Sequence, residues 1–350
     1  MRAARANRWD VNAHGAKGLP VTVEQRAARP CVAVTGAGGF LGRSICKALS
    51  GSADVVVLGR EKHADLPYPF RQIDLDGGVV AGDVLDGVDS VVHSAGIAHV
   101  FRVDAAAAGL MDRVNGGAVG LLARQAARCG VKRFVLISSA AVYGGPGDPL
   151  VDESWPCRPV GPYGESKYKG ERLAAEALAG QDTALSIIRP VTIYGEGERG
   201  NLLRLIRTID SGRFVWIGRG TNAKSLIHVE DAGRGCALAA MDLERKDGLW
   251  NLGGGVVTMR EIVDCIARAL NRRPPRLAVP EGLARLGATV ASLGGVRGRS
   301  VANTVTKWLS HDAYDCGAFQ RQYSFEPGVA LEEGVRREVE WYQTAPRRPA

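Results

Sequence analysis

The chain has 350 residues, a formal net charge of +8 and a hydrophobic fraction of 45%. This length and composition allow a full core in one or two domains and exclude a fibrous or disordered protein. Because the basic residues form no long block and do not alternate with aromatic residues, the charge suits a small anionic ligand and argues against nucleic acid.

The cysteines and the N-terminal segment bear on the compartment. The seven cysteines are scattered without a CxxC pair, so we expect neither a metal site nor a disulfide framework. Residues 1–30 are rich in Arg and Ala, lack the apolar core of a signal peptide and are predicted to be a disordered extension. No apolar run reaches the roughly 18 residues that a transmembrane helix needs. A reduced cytoplasm is therefore the expected location.

Short β-branched runs alternate with amphipathic stretches along the first half of the chain. The predicted strands are Cys31–Thr35, Asp54–Leu58, Arg71–Asp74, Ser90–His93, Arg133–Ser138 and Ala184–Arg189. The predicted crossover helices are Leu41–Leu49, Ala105–Cys129 and Tyr163–Leu178. Parallel sheets covered by helices have this pattern. We therefore expect an α/β fold, with a Rossmann-type doubly wound parallel sheet and a smaller C-terminal α/β substrate lobe.

The pattern loosens after Pro190, which sets the expected domain boundary. Residues 31–190 are predicted to form a dinucleotide-binding domain and residues 191–345 mainly a substrate-binding lobe, with 225–240 returning to the sheet. A later stretch, Gly282 to Gly294, is apolar apart from Arg285. We expect it to be a packed or partner-facing helix rather than a contact with lipid.

Three glycines follow the first predicted strand. Gly36, Gly39 and Gly42 stand where the strand turns into the first helix. Such a turn needs glycines for its tight bend, for close approach to a pyrophosphate and for helix packing, and the phosphates then lie at the helix N-terminus. The sequence therefore predicts dinucleotide binding.

Two further features indicate chemistry beside that loop. Tyr163 and Lys167 are four residues apart, which on a helix places both side chains on one face. There the ammonium charge is expected to lower the phenol pKa so that the tyrosine can exchange a proton beside a carbonyl. Ser139 follows a predicted strand at the sheet edge where doubly wound folds bind ligands, so we interpret it as catalytic.

The order of these motifs resembles that of the extended short-chain dehydrogenase/reductase superfamily, in particular the NAD-dependent epimerase/dehydratase family acting on nucleotide-linked sugars. The resemblance covers Thr35 to Gly42, Val92 to Gly96, Ser138 to Gly144, Pro162 to Lys167, Arg189-Pro190, Ser225 to Asp231 and Trp250 to Gly253. It implies that Tyr163 gives or takes the proton, that Lys167 also holds the nicotinamide ribose, and that Ser139 binds the reacting oxygen.

The resemblance also implies contacts for each ligand and no metal. The implied cofactor contacts are Gly36, Gly39, Phe40, Leu41, Gly42, Arg60, Asp74, Leu75, Ala95, Gly96, Tyr163, Lys167 and Pro190. The implied substrate contacts are Ser139, Asn201 and Lys224. The roles of two residues stay open at this point. Asn115 is either a polar kink of the long helix or a surface residue, and His228 is preferred as a structural histidine.

Departures from the family pattern bear on which reaction and which cofactor the chain uses. Where the family's 4,6-dehydratases carry an Asp-Glu pair after the catalytic hydroxyl, this chain has Ala140 and Ala141, which disfavours dehydration. Gly59 replaces the acidic residue that grips an NAD ribose, and Arg60 follows it. This change removes repulsion from a 2′-phosphate and supplies a charge for it, so the cofactor is NADP or NAD with a preference for NADP.

The function indicated by the sequence is a UDP-hexose or UDP-N-acetylhexosamine 4-epimerase working through a 4-keto intermediate. The first alternative is an NADPH-dependent 4-keto-6-deoxy-sugar-nucleotide reductase, and the second is a hydroxysteroid-type alcohol dehydrogenase. A non-enzymatic protein on this fold is disfavoured because the Tyr163 and Lys167 pair is retained. The resemblance further implies a homodimer built from the two long helices near Ala105–Cys129 and Tyr163–Leu178.

Overall fold

The structure is a computed structural model that describes residues 29–78, 81–98, 104–145, 150–244, 246–292 and 308–345. Of the predicted N-terminal extension, residues 1–28 lie outside these ranges. No helix in the described ranges is long and apolar enough to cross a membrane. The same ranges contain no group of three His, Cys, Asp or Glu residues placed to hold a metal ion.

Strands and helices alternate through the described chain. The strands are β1 (Cys31–Thr35), β2 (Asp54–Gly59), β3 (Phe70–Gln72), β4 (Ser90–His93), β5 (Arg133–Ile137), β6 (Ala184–Pro190), β7 (Thr192–Tyr194), β8 (Trp216–Ile217), β9 (Ala223–His228), β10 (Gly248–Leu252), β11 (Gly255–Thr258) and β12 (Ala278–Val279). The helices are α1 (Phe40–Leu49), α2 (Ala105–Met111), α3 (Ala118–Arg128), α4 (Gly161–Leu178), α5 (Asn201–Asp210), α6 (Val229–Met241), α7 (Met259–Ala269), α8 (Glu281–Ser292), α9 (Gly317–Tyr323) and α10 (Leu331–Thr344).

The large sheet has seven strands in the order β10-β6-β5-β4-β1-β2-β3, and all of its pairings are parallel. Every residue of β4 and β5 is buried, as expected when helices cover both faces of a parallel sheet. One face packs against α1 and α6 and the other against α3 and α4, each through a continuous apolar cluster. The predicted α/β fold with a doubly wound sheet is therefore confirmed.

The predicted helix Ala105–Cys129 is not uniform. A π-helical segment, Asp112–Gly117, separates α2 from α3 and contains the buried Asn115. Such widened turns interrupt the regular hydrogen-bond ladder and are frequent at functional sites. The surface position considered for Asn115 is thus excluded.

The stretch 225–240 divides between two layers. Its first part belongs to β9, the centre of a three-stranded sheet with β11 and β7. Its second part is α6, which covers β4, β5 and β6 of the large sheet. The seventh strand of the large sheet comes instead from β10, which pairs with β6.

The C-terminal part has its own apolar core between α5, α7 and α10. Its central side chains recur at a four-residue spacing on each helix: Leu202 and Ile206, Ile262 and Ile266, Val335 and Val339. The start of α7 is fixed by a capping box, in which Thr258 and Glu261 bond each other's backbone N–H groups. A parallel pair of β8 and β12 leads from this core to α8.

Candidate active site

The turn between β1 and α1 leaves no room for side chains. Gly36 has a φ of +70°, and a Cβ atom there would lie 2.7 Å from the Ala95 backbone. A Cβ atom on Gly39 would lie 3.1 Å from the Gly36 carbonyl oxygen. Gly39 caps α1 without a side-chain hydrogen bond, so the first N–H groups of the helix stay available for an anion. This cradle fits the pyrophosphate of a dinucleotide.

A buried polar chain fixes the loop after β4 against β1. The Ala95 N–H donates to Thr35 Oγ1 at 3.1 Å, and the same hydroxyl lies 2.9 Å from His93 Nδ1. Burial, with a smaller contribution from the charge of Lys167, lowers the pKa of His93 to about 3. His93 is therefore neutral at physiological pH, and its ring can accept the Thr35 hydroxyl hydrogen.

Asn115 joins that loop to α4. Its Oδ1 accepts the Ile97 N–H at 2.7 Å, and its Nδ2 donates to the Ile97 carbonyl oxygen at 3.0 Å and to Ser166 Oγ at 3.1 Å. Ser166 in turn donates to the Tyr163 carbonyl oxygen at 2.9 Å. The widened turn thus positions the first turn of α4. From the sequence, Asn115 was indicated only as a possible kink.

Ser139, Tyr163 and Lys167 meet beyond the carboxyl end of β5. Ser139 lies two residues after the end of β5, and Tyr163 and Lys167 occupy successive turns of α4. Lys167 Nζ donates to the Ile137 carbonyl oxygen at 2.9 Å. A Cβ atom on Gly96 would lie 3.0 Å from Lys167 Nζ, so the ammonium group borders the loop expected to line the dinucleotide.

The electrostatics of this group differ from the expectation. Burial raises the pKa of Tyr163, and interaction with the Ser139 hydroxyl opposes it. The expected lowering of the phenol pKa by Lys167 is therefore wrong for the chain alone, because removing a phenolate from water costs more than its surroundings return. Burial lowers the pKa of Lys167 to about 8, and Glu171 acts in the opposite direction.

A buried ion pair lies one helical turn beyond Lys167. Glu171 accepts from Arg189 Nε at 2.9 Å and from Arg189 Nη2 at 2.6 Å, and both side chains are buried. Ser138 Oγ donates to the same carboxylate at 2.5 Å, and Arg189 Nη1 donates to Tyr143 Oη at 2.9 Å. No sequence motif indicated Glu171, although its spacing continues the face of Tyr163 and Lys167.

The end of β2 carries the residues expected to choose the cofactor. Gly59 ends the strand, and Arg60 follows it as an exposed residue. The pKa of Asp76 is lowered mainly by its hydrogen bond with Arg113 and, to a smaller extent, by the charge of Arg60. His63, which the sequence did not indicate, borders the glycine turn, since a Cβ atom on Gly38 would collide with its ring.

The remaining cofactor candidates lie on the same edge of the sheet. Asp74 and Leu75 follow β3, and the Asp74 carboxylate accepts the Asp76 N–H at 3.1 Å. Pro190 ends β6. Phe40 and Leu41 begin α1 directly after the glycine turn. The fold thus gathers these candidates at the carboxyl edge of the parallel strands, where doubly wound sheets bind their ligands.

The substrate candidates are less clearly placed. Asn201 is the exposed first residue of α5. Lys224 on β9 forms an ion pair with Asp312 and lies 3.3 Å from Ser310 Oγ, so a diphosphate would have to displace a carboxylate. His228 is buried, lies 3.0 Å from Glu196 and caps α6, which agrees with the structural role preferred for it.

Known proteins share both the sequence pattern and the fold. The model of the NAD dependent epimerase/dehydratase family matches residues 32–253. The N-acetyl-alpha-D-glucosaminyl-diphospho-ditrans,octacis-undecaprenol 4-epimerase of Escherichia coli O157:H7 is 30% identical over 262 residues, covering 73% of this chain and 77% of that protein. The dTDP-glucose 4,6-dehydratase of Streptomyces griseus is 29% identical over 333 residues, covering 88% and 93%.

A solved structure extends the comparison to the whole fold. MoeE5 in complex with UDP-glucose and NAD matches with a TM-score of 0.70 at 28% identity, covering 89% of this chain and 98% of that one. The family match spans more than half of the chain and includes the glycine turn, Ser139, Tyr163 and Lys167. The chain therefore belongs to the NAD dependent epimerase/dehydratase family, and it is an enzyme of the extended short-chain dehydrogenase/reductase type.

Proposed function

We propose that the enzyme is a 4-epimerase of a UDP-hexose or UDP-N-acetylhexosamine that works through a 4-keto intermediate. The observation that carries this proposal is the placement of Tyr163, Ser139 and Lys167 beside the glycine turn. The residues after Ser139 are Ala140 and Ala141, so this loop offers no second acid and base for eliminating water.

Each residue of the group has a proposed task. Tyr163 takes the proton of the C4 hydroxyl and later returns it, while Ser139 holds that oxygen within reach. Lys167, as an ammonium ion, binds the nicotinamide ribose. A bound nicotinamide dinucleotide would supply the acceptor and donor of the C4 hydride. The sugar must turn over between the two transfers so that its other face receives the hydride.

The proposed cofactor is NADP or NAD, with NADP preferred. MoeE5, the structural relative, holds NAD. In this chain Gly59 places no carboxylate at the end of β2, and the next residue is the exposed Arg60. A 2′-phosphate would meet a cation there instead of an acid. The other proposed cofactor contacts are the candidates that lie at the carboxyl edge of the parallel strands.

A reductase of 4-keto-6-deoxy sugar nucleotides is the second candidate. It is favoured by the same Gly59 and Arg60, because a reductase must exchange its cofactor in every turnover and a phosphorylated cofactor suits that use. A hydroxysteroid-type dehydrogenase is a weaker candidate, since the helix α5 of the C-terminal lobe carries Arg204 and Arg207. We place the epimerase first because the loop after Ser139 adjoins the reacting group, whereas Arg60 is remote from it.

The test follows the configuration at C4 of the sugar during incubation with enzyme and no added cofactor. Purified enzyme is incubated with UDP-hexoses and UDP-N-acetylhexosamines, and with an N-acetylhexosaminyl diphosphate carried on a polyprenol, and the products are followed by NMR. An epimerase retains its dinucleotide and inverts C4. Absence of inversion, together with NADPH consumption on a 4-keto-6-deoxy sugar nucleotide, would assign the enzyme as the reductase.

We also propose a homodimer in which α3 and α4 of each protomer form a four-helix interface. The outer face of α4 carries an apolar and charged strip that could serve it, lined by Pro159, Glu165, Tyr168, Lys169, Arg172, Leu173 and Glu176. We expect more than about 1,200 Å² of buried area in total. A monomer in sedimentation at micromolar concentration would rule this interface out.

A further inference from the structure

Large exposed hydrophobic side chains are concentrated in one part of the C-terminal lobe. Ten such residues occur in the described ranges, and six of them fall at position 215 or between 277 and 290. We call this set the α8 surface; it comprises Val215, Leu277, Val279, Leu283, Leu286 and Val290. Soluble proteins seldom expose apolar side chains in such a group unless the group binds something.

The orientation of α8 is the reverse of that of an ordinary surface helix. Leu283, Leu286 and Val290 share one helical face and are 62%, 62% and 61% exposed. The side chain packed inward is the small Ala288. A helix that only covered a core would bury its leucines and expose its small residues. The outward leucines therefore point to a partner that is itself apolar.

The other members of the α8 surface are tied to the helix by the backbone. The Trp216 N–H donates to the Leu277 carbonyl oxygen at 2.8 Å, and the Gly218 N–H donates to the Val279 carbonyl oxygen at 3.0 Å. This pairing sets Val215 beside Leu277, which is 71% exposed. Only Pro280 separates Val279 from the first residue of α8, so the apolar side chains belong to one connected unit.

Arginines border the apolar side chains. A surface depression is lined by Arg272, Arg273 and Arg276 together with Phe214, Pro275 and Leu277. Arg272 pairs with Asp210 at 2.9 Å. Arg213, Arg273 and Arg276 are exposed, and none of them takes part in an ion pair among the described residues. Within the part of the chain that the structure describes, the border therefore carries uncompensated positive charge.

Contrary to the packed or partner-facing helix expected from the sequence, we propose that the α8 surface docks the enzyme peripherally on an anionic lipid bilayer. Outward leucines can enter the acyl boundary while flanking arginines stay at the level of the lipid phosphates, as in other interfacial helices. Charge favours this occupant over a second copy of the chain, because a symmetric pair would bring the same arginines together. The inference goes beyond the proposed function and does not depend on which sugar is the substrate.

The experiment is cosedimentation of the full chain with vesicles. Wild-type protein should bind vesicles of phosphatidylcholine mixed with phosphatidylglycerol, bind pure phosphatidylcholine much more weakly, and dissociate as salt is raised. The triple change Leu283→Gln, Leu286→Gln, Val290→Gln should lower the partition coefficient at least about tenfold. The double change Arg273→Glu, Arg276→Glu should lower it by a similar factor.

Matched controls lie away from the α8 surface. Leu238→Gln alters an exposed leucine of α6, and Lys47→Glu with Lys246→Glu makes the same change in net charge as the arginine variant. Both controls should bind vesicles like the wild type. Circular dichroism and the unfolding midpoint establish that every variant is folded. Hydrogen exchange of residues 281–292 in the unaltered protein, slowed by anionic vesicles, provides a measurement that needs no variant.

Several results would overturn the proposal. These are no binding to anionic vesicles, equal binding to uncharged ones, or surface variants that bind as well as the controls. A fall in sedimentation coefficient of the unliganded protein on the triple change would instead assign the surface to a second copy. Unchanged hydrogen exchange at α8 in the presence of anionic vesicles would contradict the docking directly.

Discussion

The region around the glycine turn and the C-terminal lobe of the enzyme place their polar residues in opposite ways. Around the glycine turn, Thr35, His93, Asn115 and Lys167 are buried and bonded to each other or to the backbone. In the lobe, the arginines near α8 are exposed to solvent, and the candidate Lys224 is engaged by a carboxylate of its own chain. The polar side chains around the glycine turn are therefore fixed by contacts within the chain, whereas the exposed arginines of the lobe are not.

The catalytic group should show the largest effect. Tyr163→Phe removes only the hydroxyl that exchanges the proton, so turnover should fall on the order of 10² to 10⁴ while folding and cofactor binding persist. Tyr168→Phe, on the same helix, is the matched control and should retain activity. Steady-state kinetics and cofactor fluorescence measure both. A Tyr163→Phe enzyme with more than half of the wild-type rate would remove the tyrosine from the mechanism.

The buried ion pair should matter for stability more than any surface pair. Arg189→Met leaves the Glu171 carboxylate buried without its cation, which should lower the free energy of unfolding by about 3–5 kcal/mol. Denaturant titration measures this change. Arg336→Met, which breaks an exposed pair with Glu333, should leave the midpoint nearly unchanged. Equal shifts for the two variants would mean that burial does not make the pair of Glu171 and Arg189 more important for stability than an exposed pair.

Lys167 should make cofactor binding depend on pH. Its pKa is lowered to about 8, so the ammonium form is lost as pH rises through that value. If only this form holds the ribose, affinity should decrease above the pKa by up to about tenfold per pH unit. In Lys167→Met the affinity should be weaker at neutral pH and nearly independent of pH. Lys169→Met, an exposed neighbour on α4, should keep the wild-type profile, which calorimetry across pH can establish.

The smallest predicted effect concerns the choice between cofactors. Arg60→Ala should weaken NADP binding by about 1–3 kcal/mol, the contribution of a charge-assisted hydrogen bond, and should leave NAD binding little changed. Arg128→Ala, at the exposed end of α3, serves as the control. Equal losses for NADP and NAD in calorimetry would show that Arg60 does not recognise the 2′-phosphate.

The sequence predicted the sheet well because its strands are short apolar runs that end at glycines or polar residues. It did not place β10 (Gly248–Leu252), whose first three residues are only partly buried and whose fourth is the polar Asn251. The kink at Asn115 stayed only one of two possibilities, since the π-helical turn depends on contacts with Ile97 and Ser166 from other segments. Regular elements can be predicted from local sequence patterns, whereas irregular ones depend on contacts with residues far along the chain.

Within the site the same distinction applies. The face formed by Tyr163, Lys167 and Glu171 has a helical spacing that the sequence contains in full. No local spacing indicates the raised pKa of Tyr163 or the engagement of Lys224 by Asp312, because both depend on burial and on residues far along the chain. Candidate residues could therefore be identified from the sequence, but their charge states and competing partners required the fold.

The proposed mechanism requires that the hydrogen removed from C4 is the one that returns to it. The direct measurement uses a UDP-sugar deuterated at C4, incubated with purified enzyme in ordinary water without added cofactor and followed by NMR. We expect inversion at C4 with the deuterium retained in both epimers. Inversion accompanied by loss of deuterium to solvent would contradict it, because C4 would then be epimerised by proton abstraction rather than by hydride transfer.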